Sequence, residues 1–283
     1  MKLSVTTYSF GNYLNELGIL GVVDKAAEMG FDGIEFTDGG WTKDLDPDVA
    51  KAVRERCDEK GLEVVAYCVG ANFLTDDLVG EISRVKKNVN FAARLGAKNM
   101  RHDMGWGYPA SKKICRGYDD ALPIFVNATR DIADYAESKG VGTMTENHGL
   151  FSQDANRVEK LVNSVAHPNF GALVDIGNFM CADEDPVKSV GIMAPYAKHV
   201  HAKDFFFKSG MDVNPGEGWF RTRAMNYLRG AIIGQGEAKV YQSIQILKKA
   251  GYDGYITVEF EGMEDNLKGI RIGKDNLARF ING

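Results

Sequence analysis

Four residues able to bind a metal, Glu146, Asp175, His201 and Glu259, each stand near the end of a short apolar run: VGTMTENH, FGALVDIGN, AKHVHAKDF and GYITVEFEG. The runs follow one another with helix-like stretches between them, so parallel strands would deliver all four side chains to one rim. Three carboxylates converging there would repel one another by about 4 kcal/mol per pair at ~4 Å and an effective dielectric near ~20. A divalent cation removes that cost. Oxygen dominates the set and no thiolate belongs to it, which favours Mn2+, ahead of Mg2+ or Co2+, over a structural zinc.

Strand alternation ranks the neighbouring polar groups. Residues i and i+2 share a face, so Glu146 points with His148, His201 with His199 and Lys203, and Glu259 with Glu261. His199 lies deeper, where side chains would fill a barrel, and this makes His201 the better ligand. Leu173, Asp175 and Gly177 share the inward face, and the bare Gly177 predicts room for substrate beside Asp175. His102, in NMRHDMGWG, is expected to meet sugar hydroxyls, and Lys203 to contact substrate. Trp41 and Trp106, just past predicted strands, are candidates for stacking on a sugar ring. The competing reading of each is structural: a core histidine, a salt-bridged lysine, tryptophans packed under loops. His167, before Pro168 in a turn, reads as structural.

The elements that must position these groups repeat eight times. Apolar runs occur at 3–10, 33–38, 62–70, 97–104, 141–148, 170–177, 197–205 and 254–261. Amphipathic stretches such as DPDVAKAVRERCDEKG at 46–61 lie between them, and Gly30, Gly61, Gly96, Gly140 and Gly251 end several at C-cap positions. Eight βα units in 283 residues predict a (β/α)8 TIM barrel, a single domain over 1–283 with its active site at the C-terminal rim of the strands. One segment breaks the pattern. The chain from 206 to 236 is longer than a usual βα loop and carries Phe206, Phe207, Trp219, Arg221, Arg223 and Arg229. This insertion after the seventh strand is expected to cover the rim and hold substrate, or else to pack on a neighbouring subunit.

Composition narrows the partners. A net charge of -5 offers no basic stripe for nucleic acid. No stretch of 18 apolar residues would cross a membrane, the N-terminus lacks a signal-peptide pattern, and the four cysteines show no paired spacing. A cytoplasmic protein acting on a small molecule is expected.

Taken together, VTTYSF, GFDGIEF, HPNFGALVDIGN, HVHAKD and GYDGYITVEFEG resemble the sugar phosphate isomerase/epimerase branch of the xylose isomerase-like barrels, which includes the ketose 3-epimerases. The resemblance covers nearly the whole chain. It implies that Glu146, Asp175, His201 and Glu259 hold the metal and that Glu146 and Glu259 are the acid/base pair. Three departures stand out. Asn178 takes the place of a substrate-binding His, Glu146 is followed by Asn147-His148 rather than Pro, and the insertion interrupts a His-x-x-Asp-x-x-Arg-x-x-Pro-Gly-x-Gly stretch. His148 thereby becomes a candidate catalytic group.

The expected function is a metal-dependent isomerase or epimerase of a sugar, moving a proton through a metal-stabilised enediolate. The alternative is a lyase or dehydratase on a keto-sugar, a cyclitol or a 3-keto-glycoside, C-glycoside cleavage included, with His148 or Lys203 protonating the departing group. An endonuclease of the same barrel type needs a histidine-rich trinuclear site, which five histidines and an acidic chain disfavour. A sugar-binding protein without catalysis ranks below the enzymes. A homo-oligomer is expected, with a hetero-subunit as the alternative.

Overall fold

Strands and helices alternate in the computed structural model, which describes residues 1–283. In chain order they are β1 (Lys2–Thr6), α1 (Tyr13–Glu28), β2 (Gly33–Thr37), α2 (Pro47–Lys60), β3 (Glu63–Val69), α3 (Leu78–Leu95), β4 (Asn99–His102), α4 (Tyr118–Glu137), β5 (Gly142–Glu146), α5 (Ala155–Val165) and β6 (Phe170–Asp175). There follow α6 (Asn178–Cys181), α7 (Pro186–Met193), β7 (Ala197–Ala202), β8 (Asp204–Lys208), β9 (Phe220–Arg221), β10 (Tyr227–Ala231), α8 (Val240–Lys249), β11 (Tyr255–Val258) and α9 (Asn266–Asn282). Strands β1 to β7 and β11 pair in parallel and close on themselves between β11 and β1. The fold is a (β/α)8 TIM barrel.

Local chemistry sets the boundaries. Asp46 accepts from the Asp48 N–H at 2.8 Å and precedes Pro47, which together start α2, and Gly61 at φ 69° ends it in the left-handed conformation. The apolar runs extend a few residues past most strand ends. The run at 197–205 divides at Lys203, where the chain leaves the barrel.

The insertion is built rather than irregular. Strands β8, β10 and β9 form a separate antiparallel sheet in that order. Its two ends are tied at Asp204, whose carboxylate accepts from the N–H groups of Phe205, Gly234, Gly236 and Ala238 at 2.8–2.9 Å.

One large apolar cluster fills the shell between strands and helices. Inside the barrel a second, small cluster joins Val65, Ala66, Cys68, Met144 and Leu173. Elsewhere inside lie the buried polar Ser4, Glu35, His199 and Thr257. The sheet register shifts at Ile34/Glu35 and at Ala172/Leu173, irregularities of the kind that re-aim side chains near sites. No helix is long and apolar enough to cross a membrane.

Candidate metal centre and active site

Glu146 and Asp175 are the last residues of β5 and β6, His201 is one residue from the end of β7, and Glu259 is the first residue after β11. Asp175 and Thr257 both pair in register with His201. The structure thus brings the four groups together, with one ligating atom from each within 4.8 Å of the others. Nδ1 of His201 lies 2.8 Å from Glu259 Oε2 and 3.8 Å from both Glu146 Oε1 and Asp175 Oδ2. Asp175 Oδ2 is buried without a hydrogen bond. An orphaned carboxylate oxygen among two further carboxylates and one imidazole nitrogen fits a divalent cation that prefers oxygen.

Neighbours hold these groups in place. The Asn147 side chain donates to the Asp175 carbonyl at 2.9 Å and accepts from its N–H at 2.8 Å. Asn178 donates from its backbone to Asp175 Oδ1 at 2.8 Å and from its side chain to Glu146 Oε1 at 2.9 Å. Its own Oδ1 accepts from Lys203 Nζ at 3.2 Å. Lys203 Nζ also stands 3.1 Å from Glu259, 3.4 Å from Asp175 and 3.6 Å from Glu261. Arg101 reaches Glu146 Oε2 and Asp103 Oδ1, each at 3.1 Å, and Asp103 in turn lies 3.3 Å from His148 Nδ1.

Charge and burial compete here. Burial opposes the charge on Lys203, but Asp175, Glu259 and Glu261 hold its ammonium well above the ordinary lysine range. Burial, with Glu259 and Glu146, pushes the Asp175 carboxyl well up, while Lys203 and His201 overcome burial at Glu259 and hold it well down. His201 is likewise raised well above an ordinary histidine despite burial, by Glu35 and Glu259. Its ring faces carboxylates 2.8 Å from each nitrogen.

The cluster opens into a cavity of about 340 Å³, walled by Tyr8, Asp38, Cys68, Arg101 and Glu261 besides Glu146, His148, Lys203 and Glu259. A second cavity of about 260 Å³ shares His148, Lys203 and Glu261 with it and is bounded by Leu150, Phe220 and Arg221. Strand β9 of the insertion supplies the last two.

Several expectations are corrected. His102 does not line the cavity: it is fully buried, between Phe73 and Phe170, with Nδ1 3.3 Å from the Asp103 carbonyl. Burial pushes it down to about 4. Trp41 packs between Phe36 and Phe91 and donates to the Thr37 carbonyl. Trp106 is not among these corrections: it is 60% exposed, its ring 5.2 Å from that of the cavity-lining His148, and it stays a candidate for stacking on a sugar ring. Gly177 makes no room for substrate, since a Cβ there would meet the Lys203 carbonyl oxygen at 2.8 Å. Of the insertion arginines, Arg223 is bound to Asp154 and the Leu150 carbonyl, and Arg229 lies over Phe206 near Glu264. Arg221 alone of the three lines a cavity of the site. His167 is structural as expected, 3.0 Å from Asp134.

Sequence reasoning missed Arg101, Asp103 and Glu35. The signal was present. Met100 and His102 alternate with Arg101 and Asp103, and Ile34 and Phe36 with Glu35, so the inward face of each strand could have been read from its apolar outward face.

Comparison with known proteins agrees with this architecture. A family model described as xylose isomerase-like TIM barrel matches residues 23–280. An uncharacterized protein of Methanocaldococcus jannaschii is 22% identical over 266 residues, 90% of this chain and 83% of that protein. The probable 3-DHS dehydratase AsbF of petrobactin synthesis in Bacillus anthracis superposes with a TM-score of 0.74 at 19% identity, over 98% of this chain and 99% of that one. A D-tagatose 3-epimerase-like protein superposes with a TM-score of 0.73 at 21% identity, over 100% of this chain and 97% of that one. The chain belongs to the xylose isomerase-like TIM barrel family.

Proposed function

We propose that this chain is a divalent-metal-dependent isomerase or epimerase of a sugar or sugar derivative. The observation that carries the reading is the convergence of Glu146, Asp175, His201 and Glu259 around an orphaned carboxylate oxygen at the base of a rim cavity. The likeness to a D-tagatose 3-epimerase-like protein supports it.

A bound divalent cation, Mn2+ in first place, would supply the positive charge that stabilises an enediolate. The chain's own residues divide the remaining work. Arg101 is ion-paired with Glu146 Oε2 and Asn178 donates to its Oε1, whereas the contacts of Glu259 with His201 and Lys203 fall on Oε2. Proton removal from the carbon beside the carbonyl is assigned to Glu259, whose Oε1 is free of these contacts. Glu146 receives or returns a proton from the other side, held in place by its two partners. The Lys203 ammonium, kept charged, donates to a substrate oxygen. The protein is proposed as one domain over 1–283 working in the cytoplasm as a homo-oligomer.

The test is incubation of Mn2+-loaded and chelated protein with ketoses, cyclitols and 3-keto-glycosides in deuterated water. Metal-dependent conversion with solvent deuterium in a product carbon supports the reading. Conversion that survives chelation contradicts it.

A second reading, a lyase on a keto-sugar, cyclitol or 3-keto-glycoside, is favoured by one arrangement. Asp103 orients His148 through a hydrogen bond to Nδ1, and that bond together with the nearby charge of Glu146 raises the His148 ring above an ordinary histidine against burial. His148 is also shared with the second cavity, where a departing group could sit. The likeness to a probable dehydratase is in keeping with it. His148→Ala separates the two: elimination is lost while metal stays bound in a lyase, and deuterium exchange persists in an epimerase.

A further inference from the structure

We infer that Glu35 is the positioning residue of the metal centre: it holds His201 in the one tautomer that can present Nδ1 to a metal, and His199 holds Glu35. The inference rests on the metal reading above but concerns residues outside the ligand set.

His201 has two ring nitrogens in different surroundings. Nδ1 faces Glu146, Asp175 and Glu259, the three carboxylates of the candidate centre. Nε2 faces away from them and lies 2.8 Å from Glu35 Oε2. A neutral imidazole carries one N–H. With Glu35 ionised, that hydrogen is drawn to Nε2, which leaves the Nδ1 lone pair for a cation. Glu35 is fully buried, so its position is fixed by the packing of the barrel interior. The His201 and His199 rings both lie within 3.1 Å of the same Glu35 Oε2, so one carboxylate oxygen anchors the ligand imidazole and is itself held by the deeper one.

The anchoring continues inward. His199 Nε2 lies 2.8 Å from Thr257 Oγ1, which lies 2.6 Å from Ser4 Oγ. Ser4, Glu35, His199 and Thr257 come from four adjacent strands, β1, β2, β7 and β11, and each is buried. A row of buried polar side chains inside a barrel costs more than the aliphatic layers that usually fill one. Fixing the ligand imidazole offsets that cost. The deeper His199, set aside on the sequence as a poorer ligand, thereby gains a role.

The test measures Mn2+ binding and the His201 tautomer, neither of which requires a substrate. Glu35→Gln keeps the size of the side chain but presents an amide that can donate to His201 Nε2 and so shift the ring hydrogen to Nδ1. The Mn2+ dissociation constant should rise about 10- to 100-fold in this variant. His199→Gln should raise it by less. Nitrogen-15 spectra of the wild type with diamagnetic Mg2+ should show His201 protonated at Nε2 and unprotonated at Nδ1, a result that does not depend on either variant folding. Wild-type affinity in Glu35→Gln, or an Nε2 without hydrogen in the loaded wild type, overturns the inference and leaves the metal reading standing. A wild type that binds no divalent metal overturns both.

Discussion

Gly177→Ala separates two accounts of the residue beside Asp175. If the bare position makes room for substrate, an added methyl should raise KM and leave the fold alone. The structure predicts the opposite. A Cβ at 177 would lie 2.8 Å from the Lys203 carbonyl oxygen, 2.9 Å from its Cβ and 3.0 Å from its carbonyl carbon. None of those atoms can rotate away, because they belong to the backbone and first side-chain atom where β7 gives way to β8. Overpacking of this kind costs about 1–3 kcal/mol. The backbone at Gly177, φ -75° and ψ -35°, accepts alanine, so the substitution also gains about 0.4–1 kcal/mol from a less flexible unfolded chain. The clash outweighs the gain over most of that range, leaving a net loss of up to about 2.5 kcal/mol. For a domain of this size that lowers Tm by up to about 5 °C. Displacing Lys203 also disturbs its contacts with Asp175 and Glu259, so Mn2+ affinity should fall with Tm. Thermal melts with and without Mn2+, read by circular dichroism, decide it. An unchanged Tm with a raised KM refutes the packing argument and restores the substrate-room account.

Three further outcomes follow from the geometry. Asp204→Asn removes a carboxylate that accepts from four backbone N–H groups, should cost about 3 kcal/mol or more, and should expose the chain between 206 and 236 to limited proteolysis; resistance equal to wild type contradicts this. Metal binding should release protons and strengthen with rising pH, because Asp175 and His201 both have raised folded-state values and must lose protons to serve as ligands. By the same sign, stability contributed by protonated His201 in the metal-free protein is fully present below the ordinary histidine value and is lost as pH rises through the raised one; calorimetry in two buffers of different ionisation enthalpy reads the release, and none would contradict it. Arg221→Ala should raise KM for substrates that reach the second cavity, whereas Arg229→Ala, stacked on Phe206 outside it, should not, and the reverse order would place the substrate elsewhere.

The barrel and the four candidate ligands were legible because each depends on a short-range signal: an apolar run, a polar group at its end, a glycine after the helix before it. The resemblance pointed to the same four residues. What failed depended on distances between strands. Strand β6 ends at Asp175 and Gly177 already has helical φ and ψ, so the alternation stops short of it, and the closed barrel sets the Lys203 backbone against that glycine. Histidine drew attention to His102 over Arg101 on residue type, although the alternation of β4 sends His102 outward among Phe73 and Phe170. The insertion shows in the sequence by its length, yet its sheet does not, since the pairing of 204–208 with 227–231 spans a long loop rather than a tight turn. Asn178 was visible only as a departure from the family pattern; its bonds to Glu146, Asp175 and Lys203 needed coordinates.

Metal content per chain tests the central claim most directly. Wild type, Asp175→Asn and His201→Ala should be loaded with Mn2+, desalted and measured by elemental analysis alongside circular dichroism to show that each is folded. One equivalent in the wild type and a sharp loss in both folded variants is the predicted result. Unchanged content in both variants, or none in the wild type, contradicts the assignment of Glu146, Asp175, His201 and Glu259 as a metal centre.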